Sequence, residues 1–170
     1  MRTVGHRTLA WVLASVVLLA TAGAASAASQ TTNLAVTASV GANCTISTAT
    51  LAFGAYDPVI TNAAAGAELA GTGTVTISCT KGAVTSVELG LGANATGSQR
   101  RLTNGTDFLN YQIFQDSART VVWGTGTAKK DTGTSTGKTP VNHTTFGLIP
   151  KGQDPGTGSY TDTVLATVNF

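Results

Sequence analysis

The sequence predicts an all-β domain, a sandwich or a barrel, and three observations carry that reading. Short apolar runs alternate with polar residues at a period of two. Clusters of Gly, Asn and Thr punctuate those runs, as turns between strands require. Beyond the N-terminus no long stretch keeps a 3.6-residue period. The 170 residues suffice for one domain with a sizeable core. No linker separates two cores, so a single domain is expected.

The N-terminus is a separate object. "MRTVGHR" places Arg2 and Arg7 ahead of the apolar run "TLAWVLASVVLLA", and "AGAASA" then supplies small residues. This order predicts a signal peptide over residues 1–27, cut after Ala25-Ser26-Ala27, with Ala24 as an alternative site. The apolar run is short for a membrane span. Losing residues 1–27 removes two of the ten basic residues and leaves eight against eight acids. A neutral mature chain, residues 28–170, has no basic field for nucleic acid. An exported chain with Cys44 and Cys79 predicts a disulfide between them. Two distant thiols and one mature histidine are too few to hold a metal, and no cofactor is expected.

The elements read in order as follows. In "TNLAVTASVGANC", Leu34, Val36, Ala38 and Val40 alternate with Ala35, Thr37 and Ser39, a strand-like pattern. "TLAFGAYDPV" contains a Tyr-Asp-Pro turn, and "AAAGAE" reads as a loop. "GTVTISC" (Gly73–Cys79) and "SVELGLG" (Ser86–Gly92) read as strands joined by the turn "TKGA". Asn104-Gly105 is a strong turn signal, followed by alternating Leu109, Tyr111 and Ile113. "TVVWG" reads as a short strand and "GTGTAKKDTGTSTGKTPVN" as an exposed polar loop. "TFGLIP" reads as a strand and "KGQDPGTG" as a turn. The last strand is "SYTDTVLATVNF", in which Val164, Ala166, Val168 and Phe170 sit two apart. The pattern points Phe170 into the core at the point where the chain stops.

Three enzyme signatures nearly occur in the polar loop, and each fails on its chemistry. "GTSTG" (Gly133–Gly137) has the spacing of a nucleophile elbow, but no helix-forming run follows it. His143 lies eight residues beyond Ser135 with no acid between them. "DTG" at Asp131 supplies one carboxylate where an aspartic protease needs two. "GTSTGKT" lacks the glycine a phosphate loop needs at 132, where Thr132 stands. No catalytic residue is assigned, and an enzyme is not expected. His143 reads as a surface or strand-edge residue, and Trp123 as core packing rather than a sugar platform.

"ANCTIS", "LAFGAYDP", "VTISCT", "LNYQIFQDSARTVVWG", "FGLIPKGQ" and "YTDTVLATVNF" resemble, in content and order, the spore coat protein U domain family. That family includes subunits of archaic chaperone–usher pili. The segments at Ala63–Ala70 and Thr125–Val141 carry little of the resemblance. It implies an incomplete immunoglobulin-like β-sandwich lacking its last strand, completed by donor-strand complementation. A periplasmic chaperone would first fill the groove, and the N-terminal strand of a further copy or related subunit would replace it at an outer-membrane usher. Residues 28–40, with Leu34, Val36, Ala38 and Val40 as knobs, would be the donor. Val164, Ala166, Val168 and Phe170 would line the acceptor groove and meet the chaperone, which would grip the Phe170 carboxylate with basic residues. Alternatively, part of Leu34–Val40 is the domain's own first strand and the donor begins near Ser29.

The function expected is therefore a structural pilus subunit, exported to the periplasm and then to the cell surface, serving surface attachment and biofilm formation. A self-complete secreted coat protein and a tip adhesin are the alternatives.

Overall fold

The computed structural model describes residues 26–170. The expected signal peptide falls almost wholly on residues 1–25, outside the described residues. Residues 1–38 and 39–170 form two separate units. Within the first, residues 26–38 carry no helix or strand, and their side chains are exposed. The strand expected over Leu34–Val40 is therefore not formed, because an extended segment with no hydrogen-bonded neighbour has nothing to fix its backbone.

Eight strands follow among the described residues. They are β1 (Cys44–Ala52), β2 (Leu69–Cys79), β3 (Val84–Leu89), β4 (Arg100–Thr103), β5 (Phe108–Phe114), β6 (Lys130–Thr134), β7 (Val141–Ile149) and β8 (Ala166–Asn169). One sheet has the order β1-β2-β7-β5-β4 and the other β6-β3-β8, with every pairing antiparallel. The all-β expectation holds. Val75 and Ile77 from β2, Val87 and Leu89 from β3, and Leu109, Tyr111 and Ile113 from β5 bury their side chains in one common core. The alternation that marks these strands in sequence is what delivers every second residue to that core.

The disulfide joins Cys44 and Cys79, which face each other as register partners on β1 and β2. Two other readings change. Lys130–Thr134, expected in an exposed loop, forms β6 on the edge of β3, where a polar strand is tolerated because one face meets solvent. "TVVWG" is not a strand: Val122 makes one isolated bridge to Phe114, and the Asp116 carboxylate accepts the Thr120 and Val121 N–H groups to hold the turn. Trp123 is fully buried, as core packing requires, and its Nε1 donates to the Val87 carbonyl.

Beside Trp123 lies a buried cation. Arg100 has no exposed surface, and its guanidinium donates to the carbonyls of Leu89, Gly90 and Trp123 and to the Gln112 side chain. It thereby joins β4, β3, β5 and the Trp123 segment at one point. Burial pulls its pKa down, with Tyr111 and Asp162 acting against that. Arginine suits the position because its rigid fork satisfies several acceptors at once. Arg100→Met should cost about 3 kcal/mol in urea unfolding, since it leaves those interior oxygens without a donor. An unchanged midpoint would show that the network contributes nothing.

His143 occupies a strand-edge position, since β7 pairs there only with β2. It stands on β7 with its side chain on the inner face, lining a cavity of about 210 Å³ with Ile77, Thr85 and Thr132. Its Nε2 is buried and has no hydrogen-bond partner. Burial, and then the charge of Lys130, hold its pKa below the usual histidine value. The unfolded chain thus takes up this proton more readily than the folded one. The full stability is present above about pH 6.5 and is lost as the pH falls toward the lower folded value. His143→Gln should flatten the acid side of a plot of melting temperature against pH, and an identical slope in the variant would exclude this residue as the cause.

Candidate functional site

The site is built from the two strands that border the open side of the sandwich. β1 is one edge of the five-stranded sheet, paired only with β2. β8 is one edge of the three-stranded sheet, paired only with β3. No hydrogen-bonded ladder joins β1 to β8.

The register of β8 determines what its edge offers. Gly90 N–H donates to the Leu165 carbonyl at 2.9 Å, and Ala93 N–H to that of Thr163 at 3.0 Å. Antiparallel pairing alternates, so Thr167 and Asn169 direct their backbone groups at β3, and Thr163 and Leu165 at the segment that follows it. Val164, Ala166 and Val168 direct theirs outward, where β1 lies nearby but no strand among the described residues is hydrogen-bonded to them. The side chains of the same three residues are partly buried and pack on the core. Leu165, on the other face, is exposed. One set of residues thus presents both the apolar lining and the unpaired backbone.

Phe170 departs from the sequence pattern. It lies one residue beyond β8 and is 55% exposed, so it does not enter the core.

The opposite bank is β1, which the sequence reading did not identify as a strand. Ile46 faces inward in the first half of β1. The ladder to β2 is irregular between Ala49 and Ala52, and from Leu51 onward the inward residues are Leu51 and Phe53. Such a bulge changes the phase of the alternation by one. The Phe53 ring covers the bare backbone of two glycines: a Cβ on Gly147 would lie 2.6 Å from it, and one on Gly71 2.8 Å. Phe53 also meets the Tyr111 ring edge-on, with centroids 5.9 Å apart. Glycine at 71 and 147 is what lets the aromatic side chain sink to the floor of the groove.

Cavities run between these banks. One of about 290 Å³ is lined by Leu51, Phe53, Tyr111, Ile113, Val164 and Ala166. Another, of about 360 Å³, lies between Ile46–Thr48 and Thr163–Ala166. A third, of about 560 Å³, shares Leu51, Phe53 and Leu102 with the first and continues to Tyr160. The groove is apolar at its floor, bordered by unpaired backbone, and open.

The proposed donor residues lie elsewhere in the chain. Leu34, Val36 and Val40 are each at least 85% exposed, and Ala38 is exposed as well. Among the described residues no group of three or more His, Cys, Asp or Glu could hold a metal. No helix among them is long and apolar enough to cross a membrane.

Comparison with known proteins agrees with this architecture. The family model described as the Spore Coat Protein U domain matches residues 30–167. Protein U of Myxococcus xanthus is 38% identical over 160 residues, covering 86% of this chain and 88% of that protein. Among solved structures, a chain of the CsuC–CsuE chaperone–tip adhesion subunit pre-assembly complex, from archaic chaperone–usher Csu pili of Acinetobacter baumannii, is 25% identical with a TM-score of 0.57. The likeness covers 77% of this chain but 40% of that one, so this chain spans less than half its length. With β8 on an open edge and the family model matched across most of the sequence, the chain belongs to the Spore Coat Protein U domain family.

Proposed function

We propose that this chain is a structural subunit of an extracellular pilus, exported through residues 1–27 and polymerised by donor-strand exchange. The observation that carries the reading is the edge at Val164, Ala166 and Val168, where unpaired backbone and inward side chains belong to the same residues. An edge of this kind is a template for another strand. Residues 28–40 of a further copy are the proposed occupant, with Leu34, Val36, Ala38 and Val40 as knobs. Phe170 would pack against the incoming strand or the chaperone. Burying one Leu or Val side chain contributes roughly 1.5–3 kcal/mol, so several knobs with a hydrogen-bond ladder make a slowly dissociating joint.

The likeness to a chain of the Csu complex supports a periplasmic chaperone as the first partner, with an outer-membrane usher as the site of exchange. Surface attachment and biofilm formation are the proposed roles of the fibre. The family's description as a spore coat domain favours a second reading, a self-complete secreted coat protein.

One gel separates the two. Surface-sheared protein, loaded without boiling, should give a ladder of multiples that collapses to one band on heating. A single monomer band in both lanes, from cells that also express chaperone and usher, would favour the coat protein. Deleting residues 28–40, or combining Leu34→Asp with Val36→Asp, should abolish the ladder while leaving the monomer folded. Undiminished polymers from either variant would rule out this segment as the donor.

A further inference from the structure

The C-terminal segment changes sheets at a single residue. Thr161 exchanges two backbone hydrogen bonds of 3.0 Å with Thr103, at the β4 edge of the five-stranded sheet. From Thr163 onward the chain bonds to Ala93, Gly90 and β3, in the other sheet. Asp162 is the corner between them. Its carboxylate accepts the Tyr111 hydroxyl at 2.7 Å on one oxygen. On the other it accepts the Asn94 backbone N–H at 3.2 Å and the Asn94 side-chain amide at 3.0 Å. Gly92 makes room for it: φ is +95°, and a Cβ there would stand 2.0 Å from the carboxylate.

This corner is also a wall of the groove. Asp162, Thr163, Val164 and Tyr111 line the cavity of about 290 Å³ at the end where β8 begins. β8 has one neighbour instead of two, so lateral pairing alone holds it weakly in place. Apolar lining on both banks favours collapse of β8 toward β1. A carboxylate tied to β5 and to the segment before β4 opposes that movement at its root.

We propose that Asp162 is a positioning residue for strand uptake: bonded to Tyr111 and Asn94, it holds the β8 end of the groove open where an incoming strand first seats. The inference rests on the donor-strand reading and adds to it the group that keeps the acceptor ready. The interaction is a buried-edge hydrogen-bond network, in which removing one partner strands the other.

The test is uptake of a fluorescent peptide of residues 28–42 by the full exported chain, followed by anisotropy. Wild type should take it up, and Asp162→Ala and Tyr111→Phe should each slow uptake at least tenfold. The double variant should be no slower than Asp162→Ala, because Asp162→Ala already removes the contact that Tyr111→Phe removes. Asp162→Asn has one oxygen, so it satisfies either the Tyr111 hydroxyl or the Asn94 donors but not both, and its uptake rate should fall between those of Asp162→Ala and wild type. Once filled, Tyr111→Phe should melt close to wild type, which separates positioning from general destabilisation. Should Asp162→Ala not fold, Tyr111→Phe decides, since it removes a single hydroxyl and no packing. Uptake by both single variants at the wild-type rate overturns the inference and leaves the donor-strand reading standing. No uptake by wild type overturns the reading itself, and the inference with it.

Discussion

Backbone satisfaction at β8 governs this molecule. Each non-proline residue carries one N–H and one C=O that must find partners, and a strand on a sheet edge leaves half of them without any. Most edges face solvent on a polar strand, as β6 does here with its Lys and Thr residues. β8 and the residues leading into it differ because Val164, Ala166 and Val168 turn their side chains to the core while their backbone groups face away from β3 and the Gly90–Ala93 segment after it. A polar edge loses little by remaining solvated. An apolar edge beside a cavity loses both hydrophobic burial and a ladder, and it regains both when a strand is added.

The rest of the fold serves that edge. Arg100 closes the interior between β3, β4 and β5, so the sandwich is held from within rather than by its missing side. The disulfide at Cys44 pins the start of β1 to β2, which fixes one bank of the groove. The irregularity between Ala49 and Ala52 then turns Leu51 and Phe53 inward, and Gly71 and Gly147 admit the Phe53 ring. Asp162 sets the other bank at the corner where the chain crosses between sheets. Both banks are thus positioned by contacts that lie behind the groove and need no occupant.

Much of this was legible in the sequence where period two was undisturbed. β2, β5 and β8 alternate cleanly, and a chain with two cysteines offers a single pairing, Cys44 with Cys79. β1 was not legible, because "CTISTATLA" is mostly Thr, Ser and Ala and its phase changes at the irregularity. β6 was hidden for a different reason: "KDTGT" is polar on both faces and is a strand only because β3 pairs with it. The Leu34–Val40 alternation forms no strand within this chain, since a strand pattern needs a neighbour to pair with. Phe170 followed the alternation on paper but lies beyond β8 and is more than half exposed. Asp162 and Tyr111 were missed as a pair, because residues 51 apart in sequence give no local signal of meeting.

Amide hydrogen exchange along β8, compared between monomer and fibre, tests the central claim most directly. Thr167 and Asn169 N–H groups face β3 and should exchange slowly in both states. Ala166 and Val168 N–H groups face the open edge, and they should exchange rapidly in the monomer and become protected in the fibre. Fibres in which Ala166 and Val168 still exchange as fast as in the monomer would contradict the account, because no strand would then be paired with that edge.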